Sequence, residues 1–151
     1  MTAGLQFILQ NHGWNAEPNI ATPQLTVEGD DLLLAFPLNH FVFKVFSHGD
    51  VGILRFSGCS RFRTDGTNDD AWYGGTCRYS RKAPAWGEFY EVSGSDPTLN
   101  GIEDWISICG GAGDRHFLFY FRDNLFECFA KGWQFDPSPR NALLKLPAAG
   151  S

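Results

Sequence analysis

The chain has no C-x-x-C pair, a single methionine, and no apolar run near the ~18 residues that cross a bilayer as a helix. Each absence removes a class of protein. Cys59, Cys77, Cys109 and Cys128 are too widely spaced for a zinc knuckle, so no metal is expected, and no cofactor motif stands elsewhere. An integral helical membrane protein is excluded in the same way. Positive charge is also scarce. Twelve Lys and Arg stand against 17 Asp and Glu, a formal net charge of −5, which argues against nucleic acid or an anionic membrane as partner. The first residues lack the basic start and apolar stretch of a signal peptide, so a cytoplasmic location is expected, with all four cysteines reduced and structural.

Aromatic residues are abundant: 14 Phe and 5 Trp help bring the aromatic share to 15%. That composition favours pleated, ring-packed sheets over a helical bundle. At 151 residues the chain fits one globular β-rich domain, residues 1–151, large enough to bury a core without staples.

Strand-like runs appear at Gln24–Glu28, Leu32–Leu38, Phe41–Ser47, Val51–Phe62, Trp72–Tyr79, Trp86–Val92 and Trp105–Cys109, with Gly58 marking a bend. A short helix is expected over residues 2–13, from Thr2 to a stop at Gly13. A second is expected from Ser138-Pro139 through Leu146, ended by Pro147. One helical turn is expected near Asp96-Pro97. The fold class is therefore mainly β: an antiparallel sheet closed or folded into a barrel or sandwich, with short peripheral helices near both termini. The competing architecture is α+β, a bent antiparallel sheet packed on one helix.

The most legible segment is the hairpin His116–Ala130. Asp123-Asn124 separates two Phe-rich runs, and both residue types suit a two-residue primed turn. That turn sets Tyr120 opposite Glu127 and Phe119 opposite Cys128. One face then holds Phe117, Phe119, Phe121, Phe126, Cys128 and Ala130, a core surface. The other holds His116, Leu118, Tyr120, Arg122, Leu125, Glu127 and Phe129. On it, Glu127 is a candidate base or anchoring carboxylate, with His116 and Tyr120 as candidate proton carriers. The plainer alternative is a cross-strand hydrogen bond with an ion pair beside it.

A second cluster joins Asp69, Asp70, Trp72 and Tyr73 to Trp86, Glu88 and Tyr90, with Arg78 and Arg122 as cations. By strand parity Trp86, Glu88 and Tyr90 share a face. Rings and carboxylates near loops suit a small polar ligand or a protein interface, and they also suit an ordinary aromatic core. The basic residues between Arg61 and Lys82 are diluted by acids, too much for strong nucleic-acid binding. Gly110-Gly111-Ala112-Gly113-Asp114 lacks the Lys-Ser/Thr of a phosphate loop and reads as a connection between strands. His40, His48 and Asp50 have no ligand spacing that specifies a metal.

The function itself is not written in any motif. The leading expectation is a small soluble non-catalytic binding or interaction protein with an aromatic-acidic surface, taking a protein partner or a small polar ligand. The alternatives are a ligand-binding β-barrel and an enzyme using the Glu, His and Tyr of the last hairpin.

Overall fold

A computed structural model describes residues 5–19, 23–66, 73–75, 79, 85–94, 96, 99–108, 110–122 and 124–138. They form ten strands: β1 Gln6–Leu9, β2 Gln24–Glu28, β3 Asp31–Pro37, β4 Val51–Ser57, β5 Arg61–Gly66, β6 Phe89–Ser93, β7 Ile106–Ser107, β8 Arg115–Phe121, β9 Asn124–Ala130 and β10 Gly132–Ser138. All pairings are antiparallel. A six-stranded sheet has the order β1-β6-β8-β9-β5-β7, and a four-stranded sheet has the order β10-β4-β3-β2. Neither sheet closes on itself, so the barrel alternative gives way to two open sheets that share one core.

The chain changes sheet three times, between β1 and β2, β4 and β5, and β9 and β10, and local devices mark the last two. The run from Val51 to Phe62 breaks at Gly58, whose φ of +58° a side chain would strain, and the chain passes there from β4 in one sheet to β5 in the other. The return comes at Lys131, between β9 and β10. Gly113 closes the gap behind that crossing: a Cβ there would lie 2.1 Å from the carbonyl carbon of Ala130. The glycine-rich segment therefore serves close backbone approach rather than phosphate.

The core is a set of interdigitated rings. Alternation along β3 and β4 brings in Leu32, Leu34, Phe36, Leu54 and Phe56. Alternation along β8 and β9 brings in Phe117, Phe119, Phe121, Phe126, Cys128 and Ala130. Phe36 meets Phe119 and Phe121 edge-on at 5.2 and 5.7 Å, and Phe56 packs on Phe117 and Phe126 at 5.6 and 5.5 Å. Trp14, from the arm after β1, stacks on Phe135 of β10 at 3.9 Å. A buried Phe contributes about 1.5–3 kcal/mol by area transfer, so these rings dominate the cohesion between sheets.

Four expectations change. The N-terminal helix is instead strand β1, because pairing with β6 places Phe7 edge-on against Tyr79 at 5.1 Å and Tyr90 at 6.1 Å; tertiary packing overrides a weak local preference. The Phe41–Ser47 run is a series of turns, because the Asn39 side chain accepts the N–H groups of Phe41 and Val42 and folds the chain there. Strand β10 was not foreseen, and its first residues meet Ser57 and Phe56 at the edge of the small sheet. Ser138 lies in that strand rather than capping a helix, and the rest of the expected C-terminal helix falls outside the described residues. No helix among the described residues is long and apolar enough to cross a membrane.

The hairpin turn sits one residue earlier than expected. Pairing closes at Phe121 and Asn124, which puts Tyr120 opposite Leu125 and Leu118 opposite Glu127. The direct Tyr120–Glu127 pair is thus replaced, yet the change preserves parity, and both faces keep their expected members. This register lets Phe119 and Phe121 stack at 4.3 Å beneath Phe36.

Candidate functional site

The polar face of the hairpin lies on the outer side of the large sheet. Strands β5, β9, β8 and β6 set Arg63, Glu127, Leu118 and Tyr90 in one row, with Arg61, Phe129, His116 and Val92 in the next. His116 and Glu127 therefore meet across a diagonal, with Nε2 and Oε1 2.7 Å apart. Arg63 donates to Glu127 Oε2 at 2.9 Å, and to both Asp104 oxygens at 2.8 and 3.2 Å. Glu127 has no exposed surface, and Arg63 and His116 are also buried. Burial works against the Arg63 charge, but the carboxylates of Asp104 and Glu127 more than offset it and raise its pKa.

A ring stack covers this cluster. His116 lies on Phe129 at 4.6 Å, and the Arg61 guanidinium stands between Phe129 and Trp105 at 4.3 and 4.6 Å. The assembly is a buried ion network. Both Glu127 oxygens hold partners and neither reaches solvent, so the carboxylate is not presented to a substrate.

Tyr120 is the other diagonal neighbour of Glu127, two residues along β8 from Leu118 on the side away from His116. It is fully buried and stacks under Trp86 at 4.7 Å. These two rings floor a cleft of about 340 Å³, whose walls include Asn15, Glu17, Pro18, Asn39, Phe121 and Arg122. Four segments build it: the end of β8 and the residue after it supply Tyr120 to Arg122, the arm after β1 supplies Asn15 to Pro18, the chain after β3 supplies Asn39, and a turn supplies Trp86 and Gly87. Gly87, at a φ of +84°, stops β6 from starting at Trp86. Behind the cleft Glu88 is clamped by two amides, Asn11 at 2.6 Å and Asn15 at 2.9 Å. That clamp fixes the Asn15 side chain, whose Oδ1 is shut off from solvent and has no hydrogen-bond partner. No family model, curated protein or solved structure matches this chain. The chemistry of the site must carry the argument.

Of the residues chosen from sequence, the cleft gathers Trp86, Tyr120 and Arg122, with Glu88 directly behind. His116 and Glu127 meet in the ion network. Trp86 and Glu88 precede β6, because Gly87 turns the chain, yet Trp86 packs against the same apolar cluster as Tyr90, which is buried and bonds the Ala85 backbone through its hydroxyl. Burial pushes the Tyr90 phenol up to about 12. Tyr73 is exposed, and Asp69, Asp70, Trp72 and Arg78 lie outside the described residues.

Sequence reasoning missed Arg63 and Asp104 in the ion network. The strand alternation of Arg61 and Arg63 was a usable signal, but Asp104 was not, because it arrives from a distant loop. Asn11, Asn15 and Asn39 were missed for the same reason. Cys59 and Cys128 are buried free thiols in the core, and burial raises the Cys128 pKa. Among the described residues no group of three or more His, Cys, Asp or Glu is placed to hold a metal ion.

Proposed function

We propose that this chain is a non-catalytic binding protein that takes a small polar ligand in the Asn15–Trp86–Arg122 cleft. The observation that carries this reading is the make-up of the cleft: the Trp86 and Tyr120 rings, Arg122 and the Asn15–Pro18 arm surround about 340 Å³ of open space. An anionic group on a small ligand would suit Arg122 at the rim. The aromatic floor supplies apolar contact, and the cleft has the volume of an ordinary small-molecule site.

The enzymatic alternative has less support. Its proposed base is shut off from solvent and occupied on both oxygens by Arg63 and His116, and the Tyr120 ring stacks on Trp86.

Native mass spectrometry of the protein isolated from its own source tests the proposal, set beside its denatured mass. The expected result is a small extra mass that disappears on denaturation and is absent from Asn15→Leu and Arg122→Glu variants of unchanged melting behaviour. A ligand retained by both variants would remove the cleft from consideration. Co-isolation of a second polypeptide without any small mass would shift the reading to a protein partner.

A further inference from the structure

The cleft carries two opposite charges that do not meet. Glu17 and Arg122 both line it, and among the described residues neither forms an ion pair, with the other or with any third side chain. Backbone contacts set where they stand. The Glu17 amide donates to the Pro37 carbonyl at 2.8 Å, and Ala16 bridges to Leu38, so the arm is pinned along the end of β3. Arg122 follows Phe121, the last residue of β8, which pairs with Asn124. Its guanidinium reaches the Asn19 carbonyl at a long 3.4 Å. Opposite charges held apart across a cleft attract each other weakly through water. They favour a molecule that places matching charges between them.

The wider charge balance narrows the choice of molecule. Glu88, behind the cleft, is bonded by the Asn11 and Asn15 amides at 2.6 and 2.9 Å, so its partners are neutral and no cation offsets it. One guanidinium thus stands against two carboxylates. A simple anion would meet Arg122 but also the field of both acids, and a simple cation would leave Arg122 unmatched. A ligand carrying both an ammonium and a carboxylate matches the whole arrangement. The half-buried Trp86 ring, stacked on Tyr120 at 4.7 Å, offers a flat apolar surface to the rest of the ligand. The volume of about 340 Å³ lies at the small end of ligand sites, which suits a single amino acid better than a peptide.

We propose that the cleft takes a free amino acid with an aromatic or branched apolar side chain, its ammonium toward Glu17, its carboxylate on Arg122 and its side chain against Trp86. This rests on the cleft being the ligand site and adds the chemical class of the ligand.

Calorimetric titration of the full chain tests it with four probes: L-phenylalanine, L-leucine, 3-phenylpropionate, which lacks the amine, and 2-phenylethylamine, which lacks the carboxylate. The expected result is binding of at least one amino acid, with both single-charge analogues about tenfold weaker or worse. Glu17→Gln should narrow the gap between phenylalanine and phenylpropionate, and Arg122→Gln the gap between phenylalanine and phenylethylamine. Misfolding would abolish binding of every probe alike, so this split pattern reports on the two charges themselves. A single-charge analogue that binds as tightly as phenylalanine would overturn the amino-acid proposal and leave the cleft reading standing. So would silence from all four probes while the isolated protein still releases a small mass that the cleft variants lack. Silence from all four with no such mass would overturn both. Amino-acid binding that neither variant alters would place the site elsewhere and overturn both equally.

Discussion

His116 and Glu127 are bonded at 2.7 Å although their backbones are not opposite each other, since Glu127 faces Leu118 and His116 faces Phe129. The diagonal contact leaves the second Glu127 oxygen to Arg63 on the neighbouring strand, so one carboxylate ties β8, β9 and β5 together. Its partners are buried with it, and the network is therefore sensitive to loss of one member. Glu127→Gln is expected to destabilise the fold by about 1–3 kcal/mol, because the buried Arg63 guanidinium loses one carboxylate partner and keeps Asp104. Denaturant melts measure this directly. A loss under about 1 kcal/mol would mean the carboxylate is more solvated than its burial indicates.

Phe119 provides the apolar counterpart. It has no exposed surface and touches Trp14, Phe36, Phe89 and Phe121 at ring distances of 6.2, 5.2, 5.4 and 4.3 Å. Phe119→Ala should cost about 3–5 kcal/mol, since rings from both sheets cannot collapse together into the space left. The same denaturant melts check it, and a cost below about 2 kcal/mol would show that the interface between the sheets relaxes freely.

These two residues mark how far the sequence could be read. Alternation along a Phe-rich strand is a local signal with a period of two, so the faces of β8 and β9 were correct even though the turn was one residue off. Strand β4 and the bend at Gly58 were legible for the same reason. The N-terminal helix failed because the Gln6–Leu9 segment is short, and partners far along the chain, Tyr90 and Val92, decide its state. Strand β10 carries an alternating Trp133 and Phe135, but Pro137 obscures it; an edge position tolerates that proline. The cleft was half visible. Trp86 and Arg122 stood out by residue type, whereas Asn15 and Asn39 became site residues only through contacts spanning tens of positions in the chain.

Gly113→Ala tests the crossing between the sheets. An added methyl would fall within 2.1–2.3 Å of the Ala130 backbone and the Lys131 nitrogen, atoms that cannot swing aside as a flexible side chain would. The variant should lose several kcal/mol or fail to accumulate as folded protein, by the same overpacking logic that limits cores. Gly110→Ala meets no neighbouring atom, though its φ of +91° strains a side chain, so a loss of about 1–2 kcal/mol is expected there. Thermal melts of the pair separate the two effects, and equal losses would show that the Gly113 contact relaxes.

Arg115 and Glu91 make the fold's clearest acid-sensitive pair. Arg115 donates to both Glu91 oxygens at 2.8 and 2.9 Å, across strands β8 and β6. The hydrogen bonds from Arg115 hold the Glu91 carboxyl below its ordinary value of 4.5, with burial opposing them. The unfolded chain binds a proton at that ordinary value and the folded chain only at a lower one. The pair's contribution is therefore complete above pH 4.5 and fades as pH falls through the depressed folded value. Both side chains are partly exposed, so the contribution is modest and weakens with salt. Glu91→Gln should remove that part of the acid dependence, and its stability should converge on the parent's at the lowest pH at which both remain folded. Melts of the two proteins between neutral pH and the onset of acid unfolding provide the comparison. A difference that stays constant across that range would mean the Glu91 carboxyl titrates alike in the folded and unfolded chains.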